Sequence, residues 1–362
     1  MENKLTIVLT IKGRTEFTLR WMNYMNIVSC PYKILIADGG ADKDIEKNLK
    51  NKKNYASLDY EYIRYPYDLN YGIFYKKLSD VIGKVSTPYM LFADNDDFFI
   101  LDSLPVYIAF LDENSDYVSC GGKTAVLSLY SNENKLLNSA CGDNYIVTTE
   151  NSRTSSIEFD SRVKRVCYFF RNVDSSCLWT SWYNILRTND AKLIFDYIDR
   201  YEFKDIVGLE IYMHAGMLLR GKYKGFESVH YVRQDGTSQS TNDANSEHNI
   251  IERFLTKDIF SEIFNGLCFV DNSISGKGQD RMHRAFSWWF AMHAKSIYCA
   301  PVPSIKSYFK RLFINNRSFY ISHLLRRSLM WVKNLFSYKK VYFMKMKHPL
   351  ESVLIQRQKN IR

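Results

Sequence analysis

The chain has 362 residues, of which 46% are hydrophobic and 24% charged, and this balance excludes a disordered or collagen-like protein. Its seven scattered cysteines include no CxxC pair, which argues against a zinc knuckle or a disulfide framework and favours a reducing cytosol. The net charge is +10, yet no nucleic-acid-binding module is recognisable, and we expect neither a signal peptide nor a membrane-spanning helix.

The first third of the chain alternates between short apolar runs and amphipathic segments. Predicted strands cover residues 5–11, 33–37, 58–64 and 89–93, and predicted helices cover 14–28, 42–53 and 70–85. This alternation predicts an α/β fold with a parallel sheet and helices on both faces. Ligands of such sheets bind beyond the carboxyl ends of the strands. Acidic residues follow two of these strands, Asp38 after the second and Asp94 to Asp97 after the fourth.

The remainder of the chain is less regular. We predict a strand at 117–122, an exposed polar loop at 151–165, helices at 188–200 and 205–220, a strand at 223–232, a loop at 234–246 and a mainly helical segment at 247–297. The domain organisation that we expect is two halves of one domain, 1–122 and 123–245, then a helical segment, 246–300, and a basic tail, 301–362.

Three carboxylates lie within four residues in the sequence Asp94-Asn95-Asp96-Asp97. Like charges at such short range raise one another's pKa unless a cation neutralises them. Mg²⁺ and Mn²⁺ bind carboxylate oxygens together with substrate phosphates, so a D-x-D sequence at a strand end suits a metal–diphosphate complex. The alternative is a solvated acidic turn before the next helix, which begins near Ser103.

The order of these motifs over residues 1–245 resembles the GT-A glycosyltransferases, most closely the family-2-like bacterial sugar transferases. The resemblance is carried by six motifs in order. Four lie in the first third, Lys12-Gly13-Arg14-Thr15 after the first strand, Asp38-Gly39-Gly40 after the second, Asn70-Tyr71-Gly72 at a helix start, and Asp94 with Asp96. Two follow later, Gly208-Leu209-Glu210-Ile211 before a helix, and Tyr231-Val232-Arg233-Gln234 with Ser238 and Ser240 beyond it. It implies a Rossmann-like, mostly parallel central sheet flanked by helices, followed here by a helical, basic C-terminal extension.

The resemblance also implies a role for each candidate site residue. Asp38 would contact the nucleobase of a nucleotide-sugar, and Asp94 and Asp96 would bind Mn²⁺ or Mg²⁺ and the diphosphate. Glu210 would be the catalytic base, although the family's usual Glu-Asp pair is reduced here to one residue. The further donor-binding residues are Lys12, Arg14 and Arg233, and His230 is a candidate metal ligand.

Two features allow more than one interpretation. Glu210 and His214 are four residues apart and share a helix face, which fits a metal pair, a base with its orienting partner, or a local hydrogen bond. The basic stretch from Arg153 to Arg171 fits either a lid over an anionic donor or a solvated loop.

Residues 301–362 contain 14 Lys or Arg and one acidic residue, Glu351. Apolar residues recur there at helical spacing, as at Ile305, Tyr308, Phe309 and Leu312. Cationic amphipathic helices of this kind bind at the membrane interface, where each basic residue adds about 1 kcal/mol near anionic lipid. We therefore expect residues 301–362 to contact an anionic membrane surface. The alternative is that the apolar stripes pack on the globular body.

Together, these features predict a cytoplasmic glycosyltransferase that is peripheral on the inner face of the cell membrane. Its donor would be a UDP-hexose or a CMP-linked acidic sugar, and its acceptor a growing, lipid-linked bacterial surface glycan such as capsule or lipopolysaccharide. A sugar-phosphate nucleotidyltransferase is a weaker alternative, because the turn at Lys12 lacks the GxGxR loop of those enzymes. A non-catalytic, membrane-docked scaffold of a glycan assembly complex is the alternative from another class.

Overall fold

The computed structural model describes residues 3–149, 156–172, 182–201, 203, 205–236, 259–274, 279–298 and 354. The chain divides into two compact units, Met1–Phe290 with His348–Arg362, and Ala291–Lys347. Of the second unit, only residues 291–298 are described, at the end of a helix. Apart from Leu354, the predicted basic tail lies outside the described residues, as do Arg153 and most of the predicted loop at 234–246.

Parallel strands alternate with helices in the first third of the chain, as predicted. The elements are β1 (Leu5–Ile11), α1 (Thr15–Ile27), β2 (Lys33–Asp38), α2 (Lys43–Lys50), β3 (Tyr60–Arg64), α3 (Tyr71–Gly83) and β4 (Tyr89–Ala93). β1 pairs in parallel with both β2 and β4, and β2 pairs in parallel with β3. Strands β1 and β4 have the predicted bounds, because both are buried on both faces and therefore read as continuous apolar runs.

The second half of the sheet is mixed in direction. Its elements are β5 (Phe98–Phe99), α4 (Leu104–Glu113), β6 (Tyr117–Tyr130), β7 (Asn144–Thr149), α5 (Arg162–Asn172), β8 (Ile185–Arg187), α6 (Thr188–Arg200), α7 (Ile206–Arg220) and β9 (Lys222–Gln234). Within the described ranges the strand order is β3-β2-β1-β4-β8-β6-β9-β5, with β7 paired to β6. The short strand β8 is antiparallel to both β4 and β6, whereas β6 and β9 are parallel.

Helices cover both faces of this sheet, as expected. Val8, Leu35 and Phe92 face a cluster formed with α3, α5, α6 and α7, whereas alternate residues such as Ile7 and Ile36 face α1, α2 and α4. The predicted helical segment after residue 247 contains α8 (Ile259–Asn272) and α9 (Gln279–Tyr298). No helix in the described part of the chain has the length and apolar character needed to cross a bilayer.

The polar stretch predicted as an exposed loop at 151–165 is partly helical. α5 begins at Arg162, and Arg165 is buried, where it donates hydrogen bonds to the backbone carbonyls of Phe159 and Leu218 at 2.7 Å. Arg162 pairs with the fully buried Asp271 at 2.8 Å. Arg165 therefore belongs to the packed interior, and the partly buried Arg162 is held in an ion pair, so neither the lid nor the solvated-loop interpretation fits these two residues.

A buried ion pair fixes the turn after β2. Lys77 of α3 binds the Asp68 carboxylate, and both side chains are almost completely buried. The Asp68 backbone N–H donates to the Gly39 carbonyl at 2.9 Å, which brings the Asp68 carboxyl group against the Gly39 α-carbon. A Cβ atom at position 39 would overlap that carboxyl group. Gly39 is therefore required by this close approach.

We predict that Gly39→Ala lowers the free energy of unfolding by about 2–4 kcal/mol, because the added methyl group displaces Asp68 from Lys77 and disturbs a buried ion pair. Urea denaturation measures this loss. Gly83→Ala is the matched control, since no atom lies within 4 Å of a Cβ at that position. It should change stability by less than about 1 kcal/mol. Equal effects of the two substitutions would contradict the role given to the Gly39–Asp68 contact.

Candidate active site

The carboxyl ends of the four parallel strands meet at one edge of the sheet. β1 lies between β2 and β4, and neighbouring strands are about 4.8 Å apart, so the turns after β2 and β4 begin about 10 Å from each other. The prediction that Asp38 and the acidic group at Asp94 follow strands at the same edge is confirmed. The candidate site is built at this edge.

Three carboxylates form a compact cluster after β4. Asp94, Asp96 and Asp97 each offer one oxygen atom, and these three atoms lie within 4.8 Å of one another. Burial and the negative charge of Asp96 raise the pKa of Asp94 to about 6. Burial, with the charges of Asp96 and Asp94, also raises the pKa of Asp97 well above its usual value. Ionisation of all three carboxyl groups is therefore unfavourable in this poorly solvated place unless a cation compensates their charge.

Two tyrosines hold the outer members of this acidic cluster. The Tyr183 hydroxyl donates to Asp94 Oδ2 at 2.6 Å, and the Tyr231 hydroxyl donates to Asp97. Their rings stack with centroids 3.9 Å apart. The Gln234 backbone N–H also donates to Asp97, at 2.8 Å. Sequence reasoning missed Tyr183, and it singled out the Tyr231–Gln234 stretch without a role for the Tyr231 hydroxyl. Both tyrosines reach the cluster only through the pairing of β8 and β9 into the sheet.

Two arginines approach the cluster from the β1–α1 connection and from α1. Arg14 Nη1 donates to Asp96 Oδ2 at 3.0 Å. Arg20 Nη2 donates to the Asp96 backbone carbonyl at 2.9 Å, and its Nη1 donates to the Gln234 side chain at 2.7 Å. Burial lowers the pKa of Arg20 to about 10. Arg14, a predicted donor-binding residue, is thus brought to the predicted metal-binding residues.

The chemistry of the cluster fits a hard divalent cation. Mg²⁺ and Mn²⁺ bind carboxylate oxygens, and the raised pKa values of Asp94 and Asp97 show that the present neighbours do not fully compensate the negative charge. Both Asp97 oxygens accept hydrogen bonds, from Tyr231 and from the Gln234 backbone. Asp94 and Asp96 are consequently the residues best placed to bind a cation, with Asp97 behind them.

Glu210 lies in α7, whose first turn is capped by Asp205 through a 2.9 Å hydrogen bond from the Gly208 backbone N–H. Burial and the negative charge of Asp94 raise the pKa of Glu210 to about 8, and the positive charge of Arg233 opposes that shift. Glu210 therefore lies within electrostatic range of both Asp94 and Arg233.

His214 makes a packed aromatic contact in the interior. Its ring is buried and stacks on Phe169 with centroids 4.4 Å apart, and burial lowers its pKa to about 4. Its Nδ1 atom has no hydrogen-bond partner among the described residues. The orienting-partner and local hydrogen-bond interpretations are therefore wrong for that atom, and the metal pair with Glu210 stays a prediction.

His230 is occupied at both ring nitrogens. Nδ1 accepts a hydrogen bond from the Gly122 backbone N–H at 2.9 Å, and Nε2 donates to the Tyr183 carbonyl at 3.0 Å. Burial lowers the pKa of His230 to about 4, so the ring is neutral. The predicted metal role of His230 is corrected: the ring positions the backbone of Tyr183, the residue whose hydroxyl binds Asp94.

Asp38 is buried beneath the turn that follows β2. Its carboxylate accepts hydrogen bonds from the Gly40 backbone N–H at 2.7 Å, the Tyr62 hydroxyl at 2.6 Å and Arg64 Nη1 at 2.6 Å. Lys12 lies on the same edge, where Nζ donates to the Asp68 carbonyl at 2.5 Å. Asp38 and Lys12 thus lie where predicted, and the nucleobase contact of Asp38 stays a prediction, since three protein donors already hold its carboxylate.

No protein-family profile matches the chain, and neither does any curated protein. Among solved structures, the chain is similar to S. aureus TarS 1–349 in complex with UDP-GlcNAc, with a TM-score of 0.47 and 11% identity over 81% of this chain and 73% of that one. It is also similar to the mannosyltransferase PcManGT from Pyrobaculum calidifontis in complex with GDP-Man and Mn²⁺. There the TM-score is 0.43 and the identity 9%, over 93% of this chain and 88% of that one.

At this identity the likeness concerns the fold alone. The sheet and its acidic edge define the class of the protein as an α/β protein with a candidate cation site at its strand ends. What that site does must follow from the side chains that surround Asp94, Asp96 and Glu210.

We predict that Glu210→Gln stabilises the metal-free protein at high pH. An unfolded glutamate ionises near pH 4.3, whereas the folded pKa of Glu210 is about 8, so its contribution to stability is lost as pH rises between these values. The variant should be roughly 1–3 kcal/mol more stable than the wild type at pH 8.5 and equal to it near pH 4.5. Urea denaturation at both pH values, in metal-free buffer, measures the difference.

The exposed Glu113 provides the control for this experiment. The difference in free energy of unfolding between Glu113→Gln and the wild type should be the same at both pH values. A Glu210→Gln protein whose stability relative to the wild type does not rise with pH would show that Glu210 ionises freely in the folded state.

Proposed function

We propose that this protein is a glycosyltransferase that takes a sugar from a nucleotide-sugar donor with the help of a divalent cation. The observation that supports this proposal is the cluster of Asp94, Asp96 and Asp97 at the carboxyl edge of the sheet, where one carboxylate oxygen of each residue lies within 4.8 Å of the others. Glu210 lies within electrostatic range of Asp94. Asp94 and Asp96 suit the binding of a cation, whereas the separate Glu210 carboxylate, with its raised pKa, suits the acceptance of a proton.

The donor side of the reaction requires stabilisation of a departing phosphate. Asp94 and Asp96 would hold Mn²⁺ or Mg²⁺, which acts as a Lewis acid on phosphate oxygens when bound. Arg14 and Arg233 would add guanidinium donors, which bind phosphate in a bidentate manner, and Lys12 would add a third cation at the same edge. Asp38 would lie next to the nucleobase, as the family resemblance implies.

The acceptor side requires a base for the hydroxyl that attacks the sugar. Glu210 is the candidate, because burial and Asp94 raise its pKa to about 8, close to the range in which a carboxylate accepts a proton effectively at neutral pH. Asp205 fixes the start of α7 and so contributes to the position of Glu210. Proton transfer from the acceptor hydroxyl to Glu210 would accompany attack on the sugar.

The family resemblance and the tail support the finer proposals about substrate and place. We propose a UDP-hexose or a CMP-linked acidic sugar as donor, and a growing bacterial surface glycan, lipid-linked and of the capsule or lipopolysaccharide kind, as acceptor. We also propose that the protein works on the cytoplasmic side, peripheral on the inner face of the cell membrane. The 14 Lys or Arg of residues 301–362 would contact anionic lipid there.

A panel of nucleotide-sugars with Mn²⁺ or Mg²⁺ tests the reaction. We expect at least one donor to raise the melting temperature and to be slowly hydrolysed by the wild type. Asp96→Asn should lower donor hydrolysis by a factor of about 100 or more, since it removes a charge from the cation site.

Asp102→Asn is the matched control, because Asp102 is an exposed acidic residue a few positions away in the 3₁₀ turn Leu101–Ser103. It should keep hydrolysis within about twofold of the wild type. Absence of any response to every donor, or full activity of Asp96→Asn, would contradict the transferase proposal and favour the membrane-docked scaffold.

Membrane contact is best tested in the full chain. Leu354 is buried in the hydrophobic core, and its carbonyl accepts a hydrogen bond from the Gly142 backbone N–H at 3.0 Å, so truncation after Ala300 would remove a packed residue. We predict instead that neutralising five tail residues releases the protein from vesicles containing phosphatidylserine, at a cost of about 1 kcal/mol per charge. The five substitutions are Arg326→Gln, Arg327→Gln, Lys333→Gln, Lys339→Gln and Lys340→Gln.

Sedimentation with vesicles, with and without phosphatidylserine, measures this binding. The control carries the same change of charge at exposed lysines of the described unit, and it should sediment like the wild type. Its substitutions are Lys43→Gln, Lys47→Gln, Lys53→Gln, Lys76→Gln and Lys84→Gln. Vesicle binding that persists in the tail variant, or that both variants lose equally, would contradict a specific role of the tail.

A further inference from the structure

Arg14 occupies an unusual position in the turn between β1 and α1. Its backbone is left-handed, with φ 56° and ψ 49°, directly after Gly13, which also has a positive φ of 72°. A left-handed backbone is unfavourable for a residue with a Cβ atom. Arg14 adopts it while its guanidinium lies over the Phe17 ring, 4.4 Å from the centroid, and reaches Asp96. The turn therefore presents a cation to the acidic cluster at a conformational cost.

The guanidinium of Arg14 is only half satisfied by this arrangement. Nη1 donates to Asp96 Oδ2 at 3.0 Å, whereas Nη2 is buried and has no hydrogen-bond partner among the described residues. An unsatisfied buried donor costs free energy, and a guanidinium binds most strongly when two of its nitrogens meet two oxygens. Arg14 thus has a donor that is ready for a second anionic oxygen.

The oxygen that Arg14 holds belongs to the cation site itself. Asp96 is one of the two residues best placed to bind a divalent cation, and the other, Asp94, accepts a hydrogen bond on Oδ2 from the Tyr183 hydroxyl at 2.6 Å. A divalent cation on Asp94 and Asp96 would stand close to the Arg14 guanidinium. Because like charges repel strongly in a poorly solvated site, the two cations compete for the same carboxylate.

We propose that Arg14 is an exchangeable counter-ion: it holds Asp96 when no divalent cation is bound, and it moves to the donor diphosphate when the cation takes its place. This inference rests on the proposed function. The exchange gives Nη1 and Nη2 two phosphate oxygens in place of one carboxylate oxygen, and it leaves the carboxylates to the metal. Cation and nucleotide then each strengthen the binding of the other, because either one favours the same position of Arg14.

Binding measurements on Arg14→Met and Arg14→Gly test the exchange without any measurement of activity. Electron paramagnetic resonance of free Mn²⁺ gives the affinity for Mn²⁺ alone, and calorimetry gives the affinity for UDP, and separately for GDP, with and without Mn²⁺. We expect Mn²⁺ alone to bind about fivefold more tightly to both variants, since its competitor is gone. The enhancement of nucleotide binding by Mn²⁺, expected to be about tenfold or more in the wild type, should fall to about threefold or less.

Lys12→Met is the matched control, because it removes one positive charge from the same turn while Lys12 Nζ donates to a backbone carbonyl and not to the cluster. It should leave the affinity for Mn²⁺ alone within about twofold of the wild type. Arg14→Gly suits a left-handed backbone and is expected to fold even if Arg14→Met does not.

Unchanged or weaker Mn²⁺ binding by both Arg14 variants would overturn the exchange, as would an equal effect of Lys12→Met. The exchange would also be overturned if the wild type bound the nucleotide equally well with and without Mn²⁺. That result would not contradict the proposal that the protein binds a nucleotide-sugar donor. A wild type that binds neither Mn²⁺ nor a nucleoside diphosphate would instead show that the proposed function is wrong, and the exchange would fall with it.

Discussion

Three carboxylates lie close together in a poorly solvated place after β4, and the groups that compensate their charge come from both halves of the sheet. Arg14 and Arg20 come from the parallel half, and Tyr183 and Tyr231 come from the mixed half that follows. Each would be an unremarkable polar residue at a solvated surface. Around a buried acidic cluster, each supplies a hydrogen bond or a charge that the cluster otherwise lacks. The acidic turn therefore organises the junction as well as the candidate site.

The turns after β2 and β4 both contain buried carboxylates, and they compensate the negative charge with different groups. Asp38 is satisfied by three donors from its own edge of the sheet, and the neighbouring Asp68 has the buried Lys77 as its counter-ion. The strictest requirement of that turn is the missing Cβ of Gly39. Burial and mutual repulsion raise the pKa values of Asp94 and Asp97 even with their protein donors in place, so the turn after β4 is the one whose chemistry suits an added cation. The two turns thus differ in how completely the protein's own groups compensate their carboxylates.

The sequence predicted the structure correctly where the local pattern of apolar residues directly reflects their burial. Strands β1 and β4 are continuous apolar runs because both of their faces are covered, and the acidic residues that follow them lie at one edge because parallel strands end together. It did not predict the features that depend on contacts between segments far apart in the chain. Tyr183 precedes β8, a strand of three residues whose antiparallel place between β4 and β6 has no local signal. Arg165 lies in a polar stretch that is typical of a loop, and its burial depends on carbonyls of α7 more than 50 residues away.

The unit formed by α7 and β9 carries both Glu210 and Arg233, and its position gives the two residues opposite relations to the acidic cluster. Asp94 opposes ionisation of Glu210, and Arg233 favours it. Burial is the largest cause of the raised pKa of Glu210, and a positive charge held at Asp94 would weaken only the smaller, electrostatic contribution. Under the proposed function, a cation at Asp94 would therefore shift the pKa of Glu210 downward, in the direction that favours a base. The same acidic turn would then act both on the donor phosphates and on the proton affinity of Glu210.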